Sequence, residues 1–307
     1  MERALRTPAG LKRSTRRGRV DRVFVRPGLG RWSVVIDNDV YNRRGESWWE
    51  EDNPLNLLHG SLTPGRFAYF RTVLTEHLGS DYRGLCALDV GSGGGFLAEE
   101  FTHIGFRVVG VDPSEVSIAT ARRHATDADL DIEYRIGAGE KLPVPDASFD
   151  VVYCCDVLEH VSDLDGVIAE TARALKPGGL YLFDTINRTF VSKLVAIKIM
   201  QEWRMTRMFD TPIHDWSMCV RPQELESVMG RHGLRLGAIV GLGPRSRNPL
   251  RLLDLARAGG RTLTYGELSR RLDFGQVRST AISYMGYAVK NGESPPRRRD
   301  GLPQTRN

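Results

Sequence analysis

A glycine-rich loop carries the clearest chemical signal in the sequence. Residues 88–95 read Leu-Asp-Val-Gly-Ser-Gly-Gly-Gly, directly after a short apolar stretch and before a run with the pattern of a helix. Because glycine has no Cβ, Gly91, Gly93 and Gly95 allow positive φ and a close approach to a bound molecule. Asp112 ends the next apolar segment, 21 residues after Gly91, where an acid can accept hydrogen bonds from both ribose hydroxyls. The pattern predicts a cofactor that contains adenosine.

The spacing of the loop separates two classes of such cofactors. The dinucleotide fingerprint requires its third glycine three residues after the second, and Phe96 occupies that position here. Asp89 would also repel a pyrophosphate, whereas it suits a cationic amino-acid group. The series Asp89, Gly91, Gly93 resembles the first motif of the S-adenosylmethionine-dependent methyltransferases. The resemblance implies that the cofactor is S-adenosylmethionine.

The elements around this loop alternate between strand and helix. The predicted strands lie near residues 85–90, 107–111, 131–136, 149–155, 180–185, 234–240 and 281–289. Such alternation predicts an α/β fold, with a doubly wound, mostly parallel sheet of seven strands and helices on both faces, a Rossmann-like arrangement. Ligands of such sheets bind at the carboxyl ends of the strands. Asp89, Asp112 and Asp156 all fall at such ends.

Composition bounds the class of protein. The chain has 307 residues, of which 41% are hydrophobic and 26% charged, as in ordinary soluble globular proteins. No run approaches the ~20 apolar residues of a membrane helix, and no apolar segment typical of a signal peptide follows the basic N-terminus. The four cysteines read as buried thiols of a reducing compartment. We expect a cytoplasmic protein.

The two ends of the chain differ from its middle. Residues 1–46 are predicted to be a basic, disordered arm, residues 47–290 the folded domain, and residues 291–307 a polar, disordered tail. A basic arm can bind nucleic acid, but the sequence holds no nucleic-acid-binding signature, and we expect no such partner.

A helical insert is predicted at residues 187–221, between the fifth and sixth strands. The run from Phe190 is apolar on most of its circumference, with Lys193 and Lys198 on one side. Such a helix can cover an active site, form a dimer face or lie in a membrane interface. We therefore expect one or two helices within residues 189–210, over the acceptor site, and they could provide a peripheral membrane contact.

Several further motifs resemble one methyltransferase family, the ubiquinone-biosynthesis O-methyltransferases. They are Trp48-Trp49, Leu58-His59, Pro64-Gly65-Arg66, Asp156-Val-Leu-Glu-His-Val161, Ile186-Asn187-Arg188, His214-Asp215-Trp216, Arg221-Pro222 and Ser283-Tyr284-Met285. Together they span residues 47–290. The combination is more specific than the glycine motif, which many methyltransferases share.

The resemblance implies roles for individual cofactor residues. Arg66 corresponds to the family arginine that reaches the carboxylate of the cofactor. Gly91 would line its methionine side, and Asp112 would bind its ribose. Cys155 stands where the family places a residue beside the adenine and the sulfonium.

The resemblance also implies a metal cluster at Asp156, Glu159 and His160, proposed in the family to hold a divalent cation such as Mg²⁺ near the acceptor oxygen. This chain departs from the family by having Asp rather than Glu at 156. The spacing i, i+3, i+4 would place all three side chains on one side of a helical turn. His160, with Glu159 beside it, could alternatively act as a metal-free general base.

The resemblance implies an S-adenosylmethionine-dependent O-methyltransferase that acts on a hydroxyl of a phenolic, catechol or quinol-like small molecule. A C- or N-methyltransferase of a secondary metabolite is the alternative, because it would share the cofactor site without needing a base. An RNA methyltransferase, which would use the basic ends, is a further alternative.

Overall fold

Eight strands form one sheet in the part of the chain that the computed structural model describes, residues 37–246, 248, 251–260 and 262–292. The strands are β1 Cys86–Val90, β2 Arg107–Asp112, β3 Ile132–Ile136, β4 Phe149–Cys155, β5 Leu175–Ile186, β6 Leu234–Pro244, β7 Phe274–Val277 and β8 Ser283–Lys290. Their spatial order is β3-β2-β1-β4-β5-β8-β6-β7.

Strands β1 to β5 pair in parallel, whereas β8 runs antiparallel to both of its neighbours and β7 runs antiparallel to β6. The chain proceeds outward from β1 through β2 to β3 and then returns to β4 on the other side of β1. This reversal places a crevice outside the carboxyl ends of β1 and β4, the usual position of a ligand in such sheets.

Helices connect the strands and cover both faces of the sheet. They are α1 Val40–Arg44, α2 Thr63–Leu78, α3 Phe96–His103, α4 Glu115–Asp127, α5 Leu164–Ala174, α6 Phe190–Ser192, α7 Pro222–Arg231, α8 Arg251–Gly259 and α9 Tyr265–Leu272, with wider π-type turns at Leu58–Leu62 and Lys193–Glu202. Side chains at the caps fix where two of them begin. The hydroxyl of Ser114 accepts from the backbone N of Ser117 at the start of α4, and the carboxylate of Asp163 does the same for Gly166 at α5.

The apolar core lies on the two faces of the sheet. On one face Val152, Tyr181 and Phe183 are buried with α5 and α7. On the other, Leu182 and Tyr153 are buried with side chains of α2 and α3. Central strands buried on both faces read as continuous apolar runs, which is why β4 and β5 could be recognised in the sequence.

The α/β class of the prediction is confirmed, but its count of seven strands is wrong, because β7 was missed. The predicted helical insert begins as expected: α6 and the helix Lys193–Glu202 follow β5. Helix α1 lies within residues 1–46, which were predicted to be disordered. Residues 1–36 of that arm and 293–307 of the predicted tail lie outside the described residues. Among the described residues, no helix is long and apolar enough to cross a bilayer.

Candidate active site

A cavity of about 930 Å³ opens at the carboxyl ends of β1, β2 and β4. Its wall combines two kinds of surface. Gly91, Gly93 and Asp112 line one part, and apolar side chains of the helix Lys193–Glu202, including Val195 and Met200, line another. The volume is near the upper end of the range that small-molecule and cofactor sites occupy.

The glycine loop is held against the ends of two strands. The backbone N of Gly91 donates to the carbonyl of Val111 over 2.8 Å. Gly91 has φ +79° and Gly93 has φ +50°, a region that residues with a Cβ rarely adopt. A Cβ on Gly91 would overlap the side chain of Val157. The loop therefore requires glycine at 91 for its conformation and for space.

Asp112 is fixed by the backbone around it. Its two carboxylate oxygens accept from the backbone N of Gly93 over 2.9 Å and of Ser114 over 2.8 Å. Burial raises the pKa of this carboxyl group, and the two backbone hydrogen bonds oppose that rise. Asp112 also lines the cavity, so its orientation is set before any ligand binds. This geometry suits the expected hydrogen bonds to ribose hydroxyls.

Two tryptophans cover the glycine loop. The indole N of Trp48 donates to the hydroxyl of Ser117 over 2.9 Å, and that of Trp49 donates to the carbonyl of Gly94 over 3.0 Å. A Cβ on Gly93 would lie 2.9 Å from the ring of Trp48. The segment before α2 thus packs directly on the loop, and Trp48 lines the cavity.

Arg66 is buried between two carboxylates. Its guanidinium pairs with Asp156, and its other terminal nitrogen lies 3.0 Å from an oxygen of Asp184. Arg66 is 3% exposed and is not part of the cavity lining. Asp89, also 3% exposed, is not part of that lining either, and burial raises its pKa well above the usual range. The structure therefore places both of these predicted cofactor residues beneath the cavity surface.

The segment after β4 is a turn, and the predicted helical turn is wrong. Asp156 has φ +54°, and its backbone N donates to Asp184 over 3.0 Å. The backbone N of His160 bonds to the carbonyl of Val157 at i−3. The side chain of Asp156 pairs with Arg66, and Asp156 is not one of the residues whose ligand atoms cluster with those of Glu159 and His160. Cys155, Asp156 and His160 line the cavity, whereas Glu159 does not.

Glu159 and His160 meet a histidine that arrives from the insert. One ligand atom from each of Glu159, His160 and His214 lies within 4.8 Å of the others. The hydroxyl of Thr185 donates to Glu159 over 2.7 Å, and the hydroxyl of Tyr41 lies 3.3 Å from Nε2 of His160. The structure thus places two of the three predicted metal ligands, Glu159 and His160, beside His214 rather than in a cluster with Asp156.

Burial sets the protonation states of this cluster. Burial, followed by the charge of Asp156, raises the pKa of Glu159 to about 8, although the hydrogen bond from Thr185 opposes the rise. Burial lowers the pKa of His160 to about 4, against the opposing effects of Asp156 and of the Ile213 carbonyl. Neutral forms of both groups are therefore favoured at neutral pH.

Three residues of this region were absent from the predicted site. His214 was recognised only as part of a family motif, although a histidine in a predicted lid is a signal that could have been followed. Tyr41 lies in the segment that was assigned to the disordered arm. Asp184 lies near the end of β5, as Asp156 does after β4. An acid near the carboxyl end of a strand could therefore have been named as a candidate from the sequence.

Comparison with known proteins agrees with this architecture. The family described as "Methyltransferase domain" matches residues 88–183, which include the glycine loop, Asp112 and the turn after β4. A solved S-adenosylmethionine-dependent methyltransferase from Thermotoga maritima superposes with a TM-score of 0.54, covering 82% of this chain and 98% of its own at 16% identity. At that identity the likeness shows the fold alone.

Three curated relatives carry the same name. The "Ubiquinone biosynthesis O-methyltransferase" of Paramagnetospirillum magneticum is 33% identical over 216 residues, 68% of this chain and 84% of the relative. That of Methylobacterium sp. (strain 4-46) is 33% identical over 254 residues, 80% and 90% of the two chains. That of Maricaulis maris is 37% identical over 218 residues, 69% and 83%.

These alignments, of 216, 254 and 218 residues, are far longer than the glycine loop that many methyltransferases share. Together with the cavity at the β1–β4 crevice and the fixed Asp112, they show that the chain belongs to the ubiquinone biosynthesis O-methyltransferase family and is an S-adenosylmethionine-dependent methyltransferase.

Proposed function

We propose that the protein transfers the methyl group of S-adenosylmethionine to a hydroxyl of a phenolic, catechol or quinol-like small molecule. The observation that carries the proposal is the single cavity, in which Gly91 and Asp112 lie at one part of the wall and Val195 and Met200 at another, with His160 also in the lining. The family name supports an aromatic acceptor of this kind.

Methyl transfer from a sulfonium is an in-line displacement, so most of the catalysis must come from placement of the acceptor oxygen behind the methyl group. Such positioning can supply ~7–11 kcal/mol. The rigid glycine loop and Asp112 would hold the cofactor, while the apolar wall would hold the acceptor ring. Enclosure by the insert would also exclude water, which competes for the methyl group.

The acceptor hydroxyl must also lose its proton. His160 is the group placed to accept it, because its imidazole is neutral and Nδ1 makes no hydrogen bond of ordinary geometry within the described residues, while the pKa lowered to about 4 makes it a weaker base than an ordinary imidazole. The tautomer that leaves Nδ1 open has Nε2–H donating to the hydroxyl oxygen of Tyr41. A divalent cation, when bound, would lower the pKa of the acceptor hydroxyl, and Glu159 and His160 both offer donor atoms for it.

The proposal is tested by methyl transfer from labelled S-adenosylmethionine to a panel of catechols and hydroxyquinols. Each acceptor is matched to an analogue in which the hydroxyl is replaced by an amine or by hydrogen. We expect label only in products with a new O-methyl group, identified by mass spectrometry and NMR. Asp112→Ala, which should bind the cofactor more weakly, is the matched control with reduced activity. Methylation of the amine or of a ring carbon, with the phenols untouched, would favour the C- or N-methyltransferase alternative and overturn the proposal.

We also propose that the insert contacts a membrane that contains anionic lipid. Phe190 is 85% exposed, Met205 74%, Trp203 55% and Leu194 52%, a concentration of apolar side chains that is unusual on a surface. Lys193, Arg204 and Arg207 lie in the same segment. Apolar side chains flanked by cations are typical of interfacial helices. The same helix lines the cavity, so a lipophilic acceptor could enter from the bilayer.

Cosedimentation with vesicles tests this contact. We expect binding to vesicles that contain phosphatidylglycerol and little binding to pure phosphatidylcholine. Phe190→Glu and Met205→Glu together should weaken binding by at least about tenfold, or ~1.4 kcal/mol. Ile136→Glu is the matched control, because Ile136 is a 48% exposed apolar residue outside the insert. Equal binding of both variants, or no binding of the unmodified protein, would contradict the membrane contact.

A further inference from the structure

The metal cluster that the sequence implies is not the cluster that the structure assembles. Asp156 turns to Arg66, which is itself held by the 1% exposed Asp184. Removing Asp156 from this pair would leave a buried guanidinium with one partner fewer, which is costly. Asp156 therefore belongs to an ion pair with Arg66. The third residue of the cluster with Glu159 and His160 is His214.

Two of the three residues in this cluster, Glu159 and His160, have a buried side-chain atom without a hydrogen-bond partner of ordinary geometry among the described residues. Within the described part of the chain, Oε1 of Glu159 and Nδ1 of His160 make no hydrogen bond of ordinary geometry, although the carbonyl of Ile213 acts on the ring of His160. Glu159 is 1% exposed, and an unpaired carboxylate oxygen at that depth is unfavourable. A cation bound within the cluster would compensate the buried carboxylate.

Each of the three residues is also held in place by hydrogen bonds from neighbouring groups, as metal ligands usually are. Thr185 fixes the second oxygen of Glu159, and Tyr41 contacts Nε2 of His160. The backbone around His214 is held by Gln201 of the insert, whose side-chain oxygen accepts from the backbone N of His214 over 2.9 Å and whose amide donates to its carbonyl over 3.0 Å. The insert therefore delivers the third ligand in a fixed position.

The separations are close to those of a metal site. The ligand atoms lie within 4.8 Å of one another. Ligands at ~2.1 Å in tetrahedral geometry would be about 3.4 Å apart, so the ligand atoms would move closer to one another by at most about 1.4 Å when an ion binds. Two imidazoles and one carboxylate favour first-row transition ions such as Zn²⁺ or Fe²⁺, whereas Mg²⁺ prefers a set made of oxygen atoms.

We propose that Glu159, His160 and His214 form a three-ligand site for a divalent first-row transition ion, and that Asp156 is not a ligand. The inference deepens the proposed function, because an ion held there would lie beside the acceptor part of the cavity that His160 lines. It is tested by metal binding alone. The metal site can therefore be refuted while methyl transfer to a phenol is observed, and metal binding can be observed while methyl transfer to a phenol is refuted.

The test uses the full chain after dialysis against EDTA. Titration with Co²⁺ should produce the visible absorption of a site with nitrogen ligands, and calorimetry with Zn²⁺ and Mg²⁺ should show one Zn²⁺ per chain, bound at least about 100-fold more tightly than Mg²⁺. His214→Ala should remove the Co²⁺ spectrum and weaken Zn²⁺ by at least about 100-fold. Asp156→Asn should leave both within about threefold.

His103→Ala controls for adventitious binding, because His103 is exposed and remote in sequence from the cluster. Glu159→Gln keeps the shape of the side chain and should weaken Zn²⁺ as His214→Ala does, so a loss caused by misfolding of the insert can be recognised. If Asp156→Asn abolished binding while His214→Ala did not, the ligand set implied by the family would hold and the inference would be wrong. Absence of any tight binding by the unmodified protein would equally refute it.

Discussion

Replacement of Glu159 by glutamine should change how the stability of the metal-free protein depends on pH. Glu159 is 1% exposed, and burial, followed by the charge of Asp156, raises its pKa from 4.5 to about 8. The folded state therefore holds a proton that the unfolded state has lost between about pH 4.5 and 8. Stability must fall as the pH rises through that window, because the folded state binds more protons than the unfolded state. Glutamine has no such proton.

The magnitude follows from proton linkage. One proton contributes at most ~1.4 kcal/mol per pH unit, so from pH 5.5 to 7.5 the glutamine variant should gain about 2–3 kcal/mol of unfolding free energy relative to the unmodified protein. Urea unfolding in EDTA at several pH values measures this difference. Glu133→Gln is the control, because Glu133 is exposed and Arg135 lowers its pKa, so its curve should stay parallel to the unmodified one. Parallel curves for Glu159→Gln would refute the reasoning.

Three further predictions concern the cofactor and proton removal. Asp112→Ala should weaken binding of S-adenosylmethionine by roughly 1–3 kcal/mol in calorimetry, with no binding of NAD by the unmodified protein; tight NAD binding would contradict the cofactor assignment. Gly91→Ala should lower both the melting temperature and cofactor affinity because its Cβ overlaps Val157, whereas Gly84→Ala, with φ +85° and no neighbour within 4 Å, should cost only ~1–2 kcal/mol of stability. Equal effects of the two variants would argue against the overlap. In EDTA, the rate of methyl transfer should fall as the pH is lowered through about 4, because burial lowers the pKa of His160 to about 4. A fall near pH ~6.5 would instead indicate an exposed imidazole.

Most of the sheet could be predicted because its strands are buried runs with clear boundaries. The predicted limits of β1, β2 and β4 agree with the structure to within one residue, since a glycine, an acid or a turn ends each of them. Strand β7 could not be recognised, because its four residues, Phe-Gly-Gln-Val, are too short for an alternating pattern. Its pairing with β6 is a tertiary contact that a local pattern cannot reveal.

The site was less predictable than the fold because its geometry depends on contacts between distant residues. Spacing alone suggested that Asp156, Glu159 and His160 share one side of a helix. The positive φ of Asp156 and its ion pair with Arg66, 90 positions earlier in the chain, send its side chain elsewhere. His214 also reaches the cluster through a contact between distant parts of the chain, because it lies in the insert, more than 50 residues after His160. Neither contact leaves a periodic signal in the sequence.

The charges around the cavity explain why a cationic cofactor suits this site. Asp89, Asp112 and Asp184 all have a raised pKa, with burial as the first cause in each case, and Arg66 is the cation that pairs with Asp184 and Asp156. Carboxylates buried without enough positive charge favour their neutral forms. A sulfonium and an ammonium bound nearby would stabilise the charged forms, whereas a pyrophosphate would add to the repulsion. The excess of acids is therefore an electrostatic selection for S-adenosylmethionine over a dinucleotide, beyond the shape of the glycine loop.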